Sequence, residues 1–243
     1  MILFPMAGLS SRFLTAGYTQ PKFMLPLWGG TVFDHAVASF RPCFGSQPFL
    51  FIYRETGGVR DFIEQRLRVC GVMDATLISL EQETAGQAET VELGLDRGEV
   101  GADVPVTIFN IDTFRRPSLG LIEPIAGSAG WLEVFEGTGD NWSFVRPGSE
   151  PGIAVETAEK KPISNLCCTG LYHFAARRLF DTALAAERRD PQSHELYVAP
   201  IYNHLIRAGE RIGYSRVDTA DIVFCGVPAE YEALEAQEPA WPV

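Results

Sequence analysis

From Met1 to Ile111, short apolar runs alternate with stretches of helical periodicity, and this alternation constrains the fold more than any other feature. Met1–Pro5 is a short apolar run that reads as a buried strand, Pro48–Tyr53 and Ala75–Leu80 read as the second and third strands, and Val104–Ile111 as a fourth, apolar one. Between them, Thr31–Phe40, Gly58–Val69 and Gly86–Leu95 have helical spacing; Phe62, Ile63 and Leu67 form the apolar stripe of the second. Strands that alternate with helices predict a parallel sheet covered on both faces. The pattern then changes. Trp131–Glu136, Trp142–Arg146 and Ile153–Thr157 read as short antiparallel pieces, and Leu166–Phe174 as a longer strand. Ala175–Glu187 and Glu195–Ala208 read as helices, Arg211–Val217 and Ile222–Gly226 as final strands, and Ala229–Ala236 as a last helix. No repeat or linker interrupts the chain. The expectation is one α/β domain over residues 1–243, with a nucleotide-binding half (1–115) and an acceptor-binding half (116–243).

Composition narrows the function. A net charge of −11 argues against a broad nucleic-acid surface. No apolar run approaches the roughly 20 residues that span a bilayer, so no membrane partner is expected. The opening residues lack the basic segment of a secretory leader. The five cysteines are odd in number, lack metal-type spacing and include the adjacent pair Cys167 and Cys168, which reads as reduced thiols in a cytoplasmic protein. Residues 1–33 hold no Asp or Glu but do hold Arg12 and Lys22, a distribution suited to an anion site.

Three segments carry candidate chemistry. Pro5–Phe13 is a glycine- and serine-rich loop directly after the first strand. Gly8 lets backbone N–H groups approach a phosphate, and Arg12 adds a planar cationic fork. It is neither a Walker loop nor a three-glycine dinucleotide loop. In Gly17–Lys22, Pro21 stiffens the chain before Lys22, a point charge for a phosphate; the bland alternative is a solvated lysine after a turn. Asn110-Ile111-Asp112 ends a strand at the sheet edge where α/β proteins bind ligands, and Asp112 could hold Mg²⁺ there or simply cap a turn. The four histidines show no metal or triad spacing and read as structural. Glu195, Tyr197 or Asn203 could line an acceptor pocket. Trp131 and Trp142 read as strand packing, with sugar stacking as the alternative.

The segments PMAGLSSRF and GYTQPKFMLPL resemble the N-terminal signature of the sugar-phosphate nucleotidylyltransferases, nucleotidyltransferases of glycosyltransferase-A-like fold. The likeness continues in order through ETAGQAETV (83–91), FNIDT (109–113), VETAEKKPISNLCCTGLYHF (155–174) and FCGVPAEYEAL (224–234). The resemblance implies a three-layer α/β/α, Rossmann-like architecture with a mixed, mainly parallel sheet. It implies that Ala7, Gly8, Leu9 and Ser10 face the nucleotide through backbone. Arg12 and Lys22 would bind the triphosphate, and Gln82 or Gln87, with Gly86, would lie beside the base. Asp112 would bind Mg²⁺; Glu159, Lys160 and Gly170 would handle the acceptor, with Lys160 on its phosphate. Two positions depart from the family pattern. Ser10 stands where a second glycine is usual. Phe224 stands where a second metal-binding aspartate is often found, so Asp218 or Asp221 substitutes or one carboxylate suffices.

The expected reaction is transfer of a nucleoside monophosphate from an NTP to a sugar phosphate or similar phosphorylated small molecule, with release of pyrophosphate. An acceptor phosphate is nucleophilic at neutral pH, since its second pKa is about 6, so no protein nucleophile is needed. Two other readings are a nucleotide-sugar-dependent glycosyltransferase and a non-catalytic nucleotide- or sugar-binding module. Asn110 occupies the first place of the acidic pair that a glycosyltransferase usually presents, and Phe224 is the best support for the module. A homo-oligomer is compatible with the sequence, which does not decide it.

Overall fold

The computed structural model describes residues 1–121 and 126–241. Its strands are β1 (Ile2–Met6), β2 (Pro26–Leu27), β3 (Gly30–Thr31), β4 (Phe49–Arg54), β5 (Ala75–Leu80), β6 (Val106–Phe109), β7 (Thr113–Arg115), β8 (Gly130–Glu136), β9 (Ser143–Pro147), β10 (Ile153–Glu159), β11 (Leu166–Phe174), β12 (Ile212–Arg216) and β13 (Ile222–Phe224). Its α-helices are α1 (Ser11–Thr15), α2 (Val32–Ala38), α3 (Val59–Cys70), α4 (Gln87–Arg97), α5 (Arg177–Arg189), α6 (Val198–Arg207) and α7 (Pro228–Glu235).

Among the described residues nine strands form one sheet, in the order β5-β4-β1-β6-β11-β8-β12-β10-β9. The first four are mutually parallel, as the alternating pattern predicts. The sheet as a whole is mixed: β11 runs antiparallel to both β6 and β8, β8 and β12 are parallel, and β10 and β9 are antiparallel. The parallel character therefore sits mostly in the nucleotide half. A separate ribbon pairs β13 with β7, which brings the end of the chain to the residues just after Asp112.

Strand alternation divides the core into two layers. On one face Leu3, Leu50, Ile52 and Ile108 pack with Val91 and Leu95 of α4, Phe180 and Leu184 of α5, and Ile201 and Leu205 of α6. On the other, Ile2, Phe4, Phe49 and Phe51 meet Phe33 and Val37 of α2 and Ile63 and Leu67 of α3. Phe4 and Phe51 stack with centroids 5.1 Å apart, and Phe40 meets Phe4 edge-on at 5.8 Å. The three layers expected from the resemblance are present. Helix α2 begins where it does because Thr31 and Asp34 cap each other's backbone N–H groups.

Three local expectations change. Ser11–Thr15, read as loop, is a short helix. The helix expected from Glu195 begins at Val198, because Leu196 is held extended against the chain before α4: its N–H donates to Ala85 at 3.0 Å and its carbonyl accepts from Ala88 at 2.7 Å. Phe62 of the α3 stripe is half-buried, and Val59 joins Ile63 and Leu67 as the buried face.

Candidate active site

One deep cleft of about 1060 Å³ opens at the carboxyl ends of the parallel strands. The loop after β1 contributes Ala7, Gly8, Leu9, Ser10 and Arg12, and the turn after Pro21 contributes Lys22. Gly86 and Gln87 come from the start of α4, and Asn110 and Asp112 from the end of β6. The second half supplies Glu159 from β10, Gly170 and Tyr172 from β11, Trp142 and Ser143 from the start of β9, and Phe224 and Gly226 from the end of β13 and the turn that follows. Residues read separately from the sequence are thus one constellation.

The centre of the cleft is the pair Lys22 and Asp112. The Lys22 ammonium donates to Asp112 Oδ2, and each side chain is only about a fifth exposed. The Lys22 backbone N–H donates to Ser10 Oγ at 3.3 Å, tying the second loop to the first. Ser10 takes a left-handed conformation, φ 52°, at the N-cap of α1. That is why a glycine suits this position: an L-residue held there is strained by about 1–2 kcal/mol. The Asp112 carbonyl accepts from Cys225 N–H at 2.8 Å, so the closing segment is locked to the strand end that presents the carboxylate.

Gly170 makes a close contact between the two halves. Its φ is +95°, it sits in a β-bulge of β11, and its carbonyl accepts from Asn110 N–H at 3.2 Å. A Cβ at Gly170 would lie 2.5 Å from Asn110 Nδ2, so no larger residue fits. Asn110 Oδ1 in turn accepts from Gln87 Nε2 at 2.6 Å.

At the acceptor end, Glu159 is bonded to the Ser143 hydroxyl, and burial raises its carboxyl pKa above the ordinary range, with Ser143 and Lys160 opposing the rise. Lys160 Nζ donates to the Tyr197 hydroxyl at 2.8 Å, which is the main reason its own pKa is raised.

Two expected site residues stand apart. Gln82 is an exposed residue of the turn after β5 and does not line the cleft, which leaves Gln87 as the glutamine beside it. Lys160 is not among the lining residues, although its ammonium bonds the hydroxyl of Tyr197, which is, and so sits at the margin of the cleft. The proposed substitutes for the missing aspartate are also elsewhere: Asp221 pairs with Arg116, and Asp218 caps Ala220 N–H at 2.9 Å. Phe224 packs on Trp142, with centroids 4.6 Å apart. Trp131 is buried core while Trp142 lines the cleft. Glu195 and Tyr197 line it too, but Asn203 is spent on the Thr157 backbone, with bonds of 2.8 Å in both directions. Among the described residues no histidine lines the cleft; His35, for instance, binds the Leu27 carbonyl at 2.8 Å.

Sequence reasoning missed Tyr172, Ser143 and Glu230, all of which line the cleft. A signal existed for Tyr172, which lies two residues beyond Gly170 on one strand. Ser143 is found only through its register opposite Glu159.

The cleft at the parallel sheet edge thus holds two cations, Arg12 and Lys22, and the carboxylate Asp112, a set of groups that can meet phosphates. No protein-family model matches the chain, and no curated protein matches it. Solved structures do. A nucleoside-diphosphate-sugar pyrophosphorylase from Vibrio cholerae RC9 is 44% identical, covers 98% of this chain and 100% of its own, and has a TM-score of 0.91. The inositol-1-phosphate CTP transferase from T. maritima is 15% identical, with 96% and 93% covered and a TM-score of 0.74. A UDP-glucose pyrophosphorylase complexed with UDP-glucose is 14% identical, with 97% and 96% covered and a TM-score of 0.71. The latter two share the fold. The first shows the family: the chain belongs to the nucleoside-diphosphate-sugar pyrophosphorylases, the sugar-phosphate nucleotidylyltransferases, and is a nucleotidyltransferase.

Proposed function

We propose that Arg12, Lys22 and Asp112 form the catalytic centre for transfer of a nucleoside monophosphate from an NTP to a phosphorylated small molecule. The observation that carries this reading is the convergence in one cleft of the acid-free N-terminal segment, the strand-end Asp112 and the acceptor-side Glu159 and Gly170. The backbone of Ala7–Ser10 lies where it can face the nucleotide, Gly86 and Gln87 flank the base, and Arg12 and Lys22 face the phosphates. An acceptor phosphate oxygen attacks the α-phosphorus, the bond from that phosphorus to the β-phosphate bridging oxygen breaks, and pyrophosphate leaves. Two anions must approach each other, so the chain's work is positioning and charge neutralisation.

The donor set suits Mg²⁺ in one particular way. Mg²⁺ is held by one or two carboxylates together with substrate phosphates rather than by an all-protein cage. Asp112 fits that role, and among the described residues no group of three or more His, Cys, Asp or Glu could hold a metal by itself. When bound on Asp112, Mg²⁺ would neutralise charge on the reacting phosphates.

The nine-stranded sheet draws on residues both before and after 115, which supports one domain with a nucleotide half and an acceptor half. Five free thiols support a reducing, cytoplasmic setting. No described helix is long and apolar enough to cross a membrane.

The test is pyrophosphate release from each NTP with a panel of phosphorylated acceptors, with and without chelator. Release should require both metal and acceptor. Undiminished turnover in excess chelator, or release without acceptor, overturns the assignment of these roles.

A further inference from the structure

One hydrogen bond away from the cleft lies a charged pair that the proposed reaction does not touch. The side chains of Arg115 and Glu133 are completely buried. The guanidinium donates to the carboxylate through Nε at 2.8 Å and through Nη2 at 2.5 Å, and Nη1 donates to the Gly120 carbonyl at 3.0 Å. Stability alone does not account for such a pair, since packed apolar side chains of similar volume often do as well or better.

The pair joins the two segments that present Asp112 and Gly170. Arg115 stands three residues after Asp112, in β7, and its N–H donates to Ser39 Oγ at 2.9 Å, which pins β7 to the end of α2. Glu133 lies in β8 at the place where the ladder with β11 breaks. Val134 pairs with Cys168 and Leu132 with Tyr172, so Glu133 alone faces the three residues Thr169, Gly170 and Leu171. A bulge of this kind bends the strand and leaves backbone groups without ladder partners. Here the partners are specific. The Thr169 hydroxyl, which is buried and belongs to the cleft lining, donates to Glu133 Oε1 at 2.9 Å. Leu171 N–H donates to Thr169 Oγ at 3.4 Å, and the Gly170 carbonyl accepts from Asn110 N–H at 3.2 Å. The contacts therefore close a ring. It runs from Asp112 along β7 to Arg115, through Glu133 and Thr169 to the bulge, and back through Asn110 to Asp112.

We infer that Arg115 and Glu133 are positioning residues: acting through Thr169, they hold the β11 bulge, and with it the acceptor edge at Gly170, in fixed register with the strand end that carries Asp112. This inference rests on the nucleotidyl-transfer reading of the cleft. Hydrogen bonds to ionised groups suit the task, being directional and roughly twice as strong as neutral ones. A fully satisfied buried network specifies one arrangement where apolar packing would allow several. Among the described residues the two side chains bond only each other, Gly120 and Thr169, none of which belongs to the nucleotide loop Ala7–Arg12.

The test compares the full chain with Arg115→Met/Glu133→Leu, which removes both charges and refills the space, and with Thr169→Val, which removes only the hydroxyl. Thr169→Ser is the conservative control, and urea unfolding checks that each variant folds. Calorimetry with Mg²⁺ and a non-hydrolysable NTP measures nucleotide binding, and pyrophosphate release over a panel of phosphorylated acceptors gives acceptor kcat/KM. Amide exchange followed by NMR reads the Asn110 N–H, which is bonded to the bulge, without any substrate. In the double variant and in Thr169→Val, acceptor kcat/KM should fall by roughly 10–100-fold, the scale of a misplacement of up to about 1 Å. Nucleotide affinity should stay near that of the full chain. Asn110 exchange should quicken while amides of β1 and β4 do not, and Thr169→Ser should restore both rate and protection. Should the double variant fail to fold, Thr169→Val against Thr169→Ser decides. Folded variants with unchanged acceptor kcat/KM and unchanged Asn110 exchange make the pair structural only, which overturns the inference and leaves nucleotidyl transfer standing. Equal losses of nucleotide and acceptor binding overturn it as well, since they report general damage. Absence of pyrophosphate release from the full chain with every NTP and acceptor overturns the reaction, and Asn110 exchange alone then upholds or overturns the inference.

Discussion

Replacing Lys22 with alanine should push two measurable quantities in opposite directions. The Lys22 ammonium is bonded to Asp112 Oδ2, and both side chains are about four-fifths buried. In the free protein Lys22 therefore occupies the carboxylate that a metal ion would need. An ion pair of intermediate exposure is worth about 1 kcal/mol, so freeing Asp112 should tighten divalent-cation binding, in the absence of nucleotide, by roughly fivefold. On the proposed reading the lysine would have a different task once the NTP is bound, facing phosphate oxygens as charge moves to the leaving pyrophosphate. Removing one such charge-stabilising donor lowers turnover by roughly 10²–10³-fold. Folding stability should change by less than about 1 kcal/mol, since the pair is neither fully buried nor part of the core. Mn²⁺ titration followed by electron paramagnetic resonance reads the first effect, pyrophosphate release at saturating NTP the second, and urea unfolding the third. Lys22→Arg should restore little turnover, because a planar fork and a point charge reach phosphates differently. Unchanged metal affinity together with near-normal turnover in Lys22→Ala would remove Lys22 from the centre and refute the reasoning.

Three further perturbations follow from the geometry. Ser10→Gly should be tolerated and should stabilise the fold by about 0.5–1 kcal/mol in urea unfolding, because the φ of 52° at Ser10 suits glycine; loss of nucleotide binding would instead give the Ser10 hydroxyl, bonded to Lys22 N–H, its own role. Arg115 and Glu133 are both completely buried and joined by two guanidinium nitrogens, so Arg115→Met alone should cost about 3–5 kcal/mol, while Arg115→Met with Glu133→Leu should recover most of it in the same assay. Burial raises the Glu159 carboxyl above its ordinary 4.5, so acceptor KM should climb on acidification at a pH where an exposed glutamate is still ionised, and Glu159→Gln should flatten that profile. The sign for stability is the reverse. A raised carboxyl pKa favours the protonated folded state, so this contribution is full below the unfolded pKa and is lost as pH rises through the folded one.

The central strands β1, β4 and β6 were legible in the sequence because they are buried on both faces and are therefore continuous apolar runs; Leu166–Phe174 matches its observed bounds, as does Ala75–Leu80, which is an edge strand and only partly buried. The start of α6 was not legible, because hydrogen bonds to Ala85 and Ala88 hold Leu196 extended where its periodicity alone favours a helix. Helix α1 has only five residues, too few to show a period. In the site, Arg12, Lys22 and Asp112 could be named from residue type and place, but the direct bond between Lys22 and Asp112 joins residues 90 apart in sequence. Gln82 and Gln87 could not be told apart by type, and only the helix start at Gln87 separates them. The bond that fixes the Lys160 ammonium was likewise illegible, because its partner Tyr197 lies 37 residues away.

Phe224 has a consequence for how a metal would be held. The position where a second aspartate is often found lies in β13, opposite Thr113 and packed against Trp142 and Phe135. Glu230 also lines the cleft, and a Cβ built at Gly226 would lie 3.3 Å from Asp112 Oδ2 and 3.6 Å from Glu230 Oε2, so the two carboxylates flank one spot. Glu230 Oε2, however, already accepts the N–H groups of Gly226 at 2.7 Å and Val227 at 3.2 Å, which hold the start of α7 in place. Moving it to a metal would leave those donors to find other partners. On the proposed reading Mg²⁺ would be held by Asp112, with nucleotide phosphates and water as its other partners. It follows that metal and NTP should bind with strong mutual dependence: each improves the site for the other, and by linkage the two enhancements are equal. Calorimetric titration of Mg²⁺ with and without a non-hydrolysable NTP, and of that NTP with and without Mg²⁺, measures both sides. Tight Mg²⁺ binding to the nucleotide-free protein, abolished by Glu230→Gln, would show that Glu230 leaves its cap to act as the second ligand.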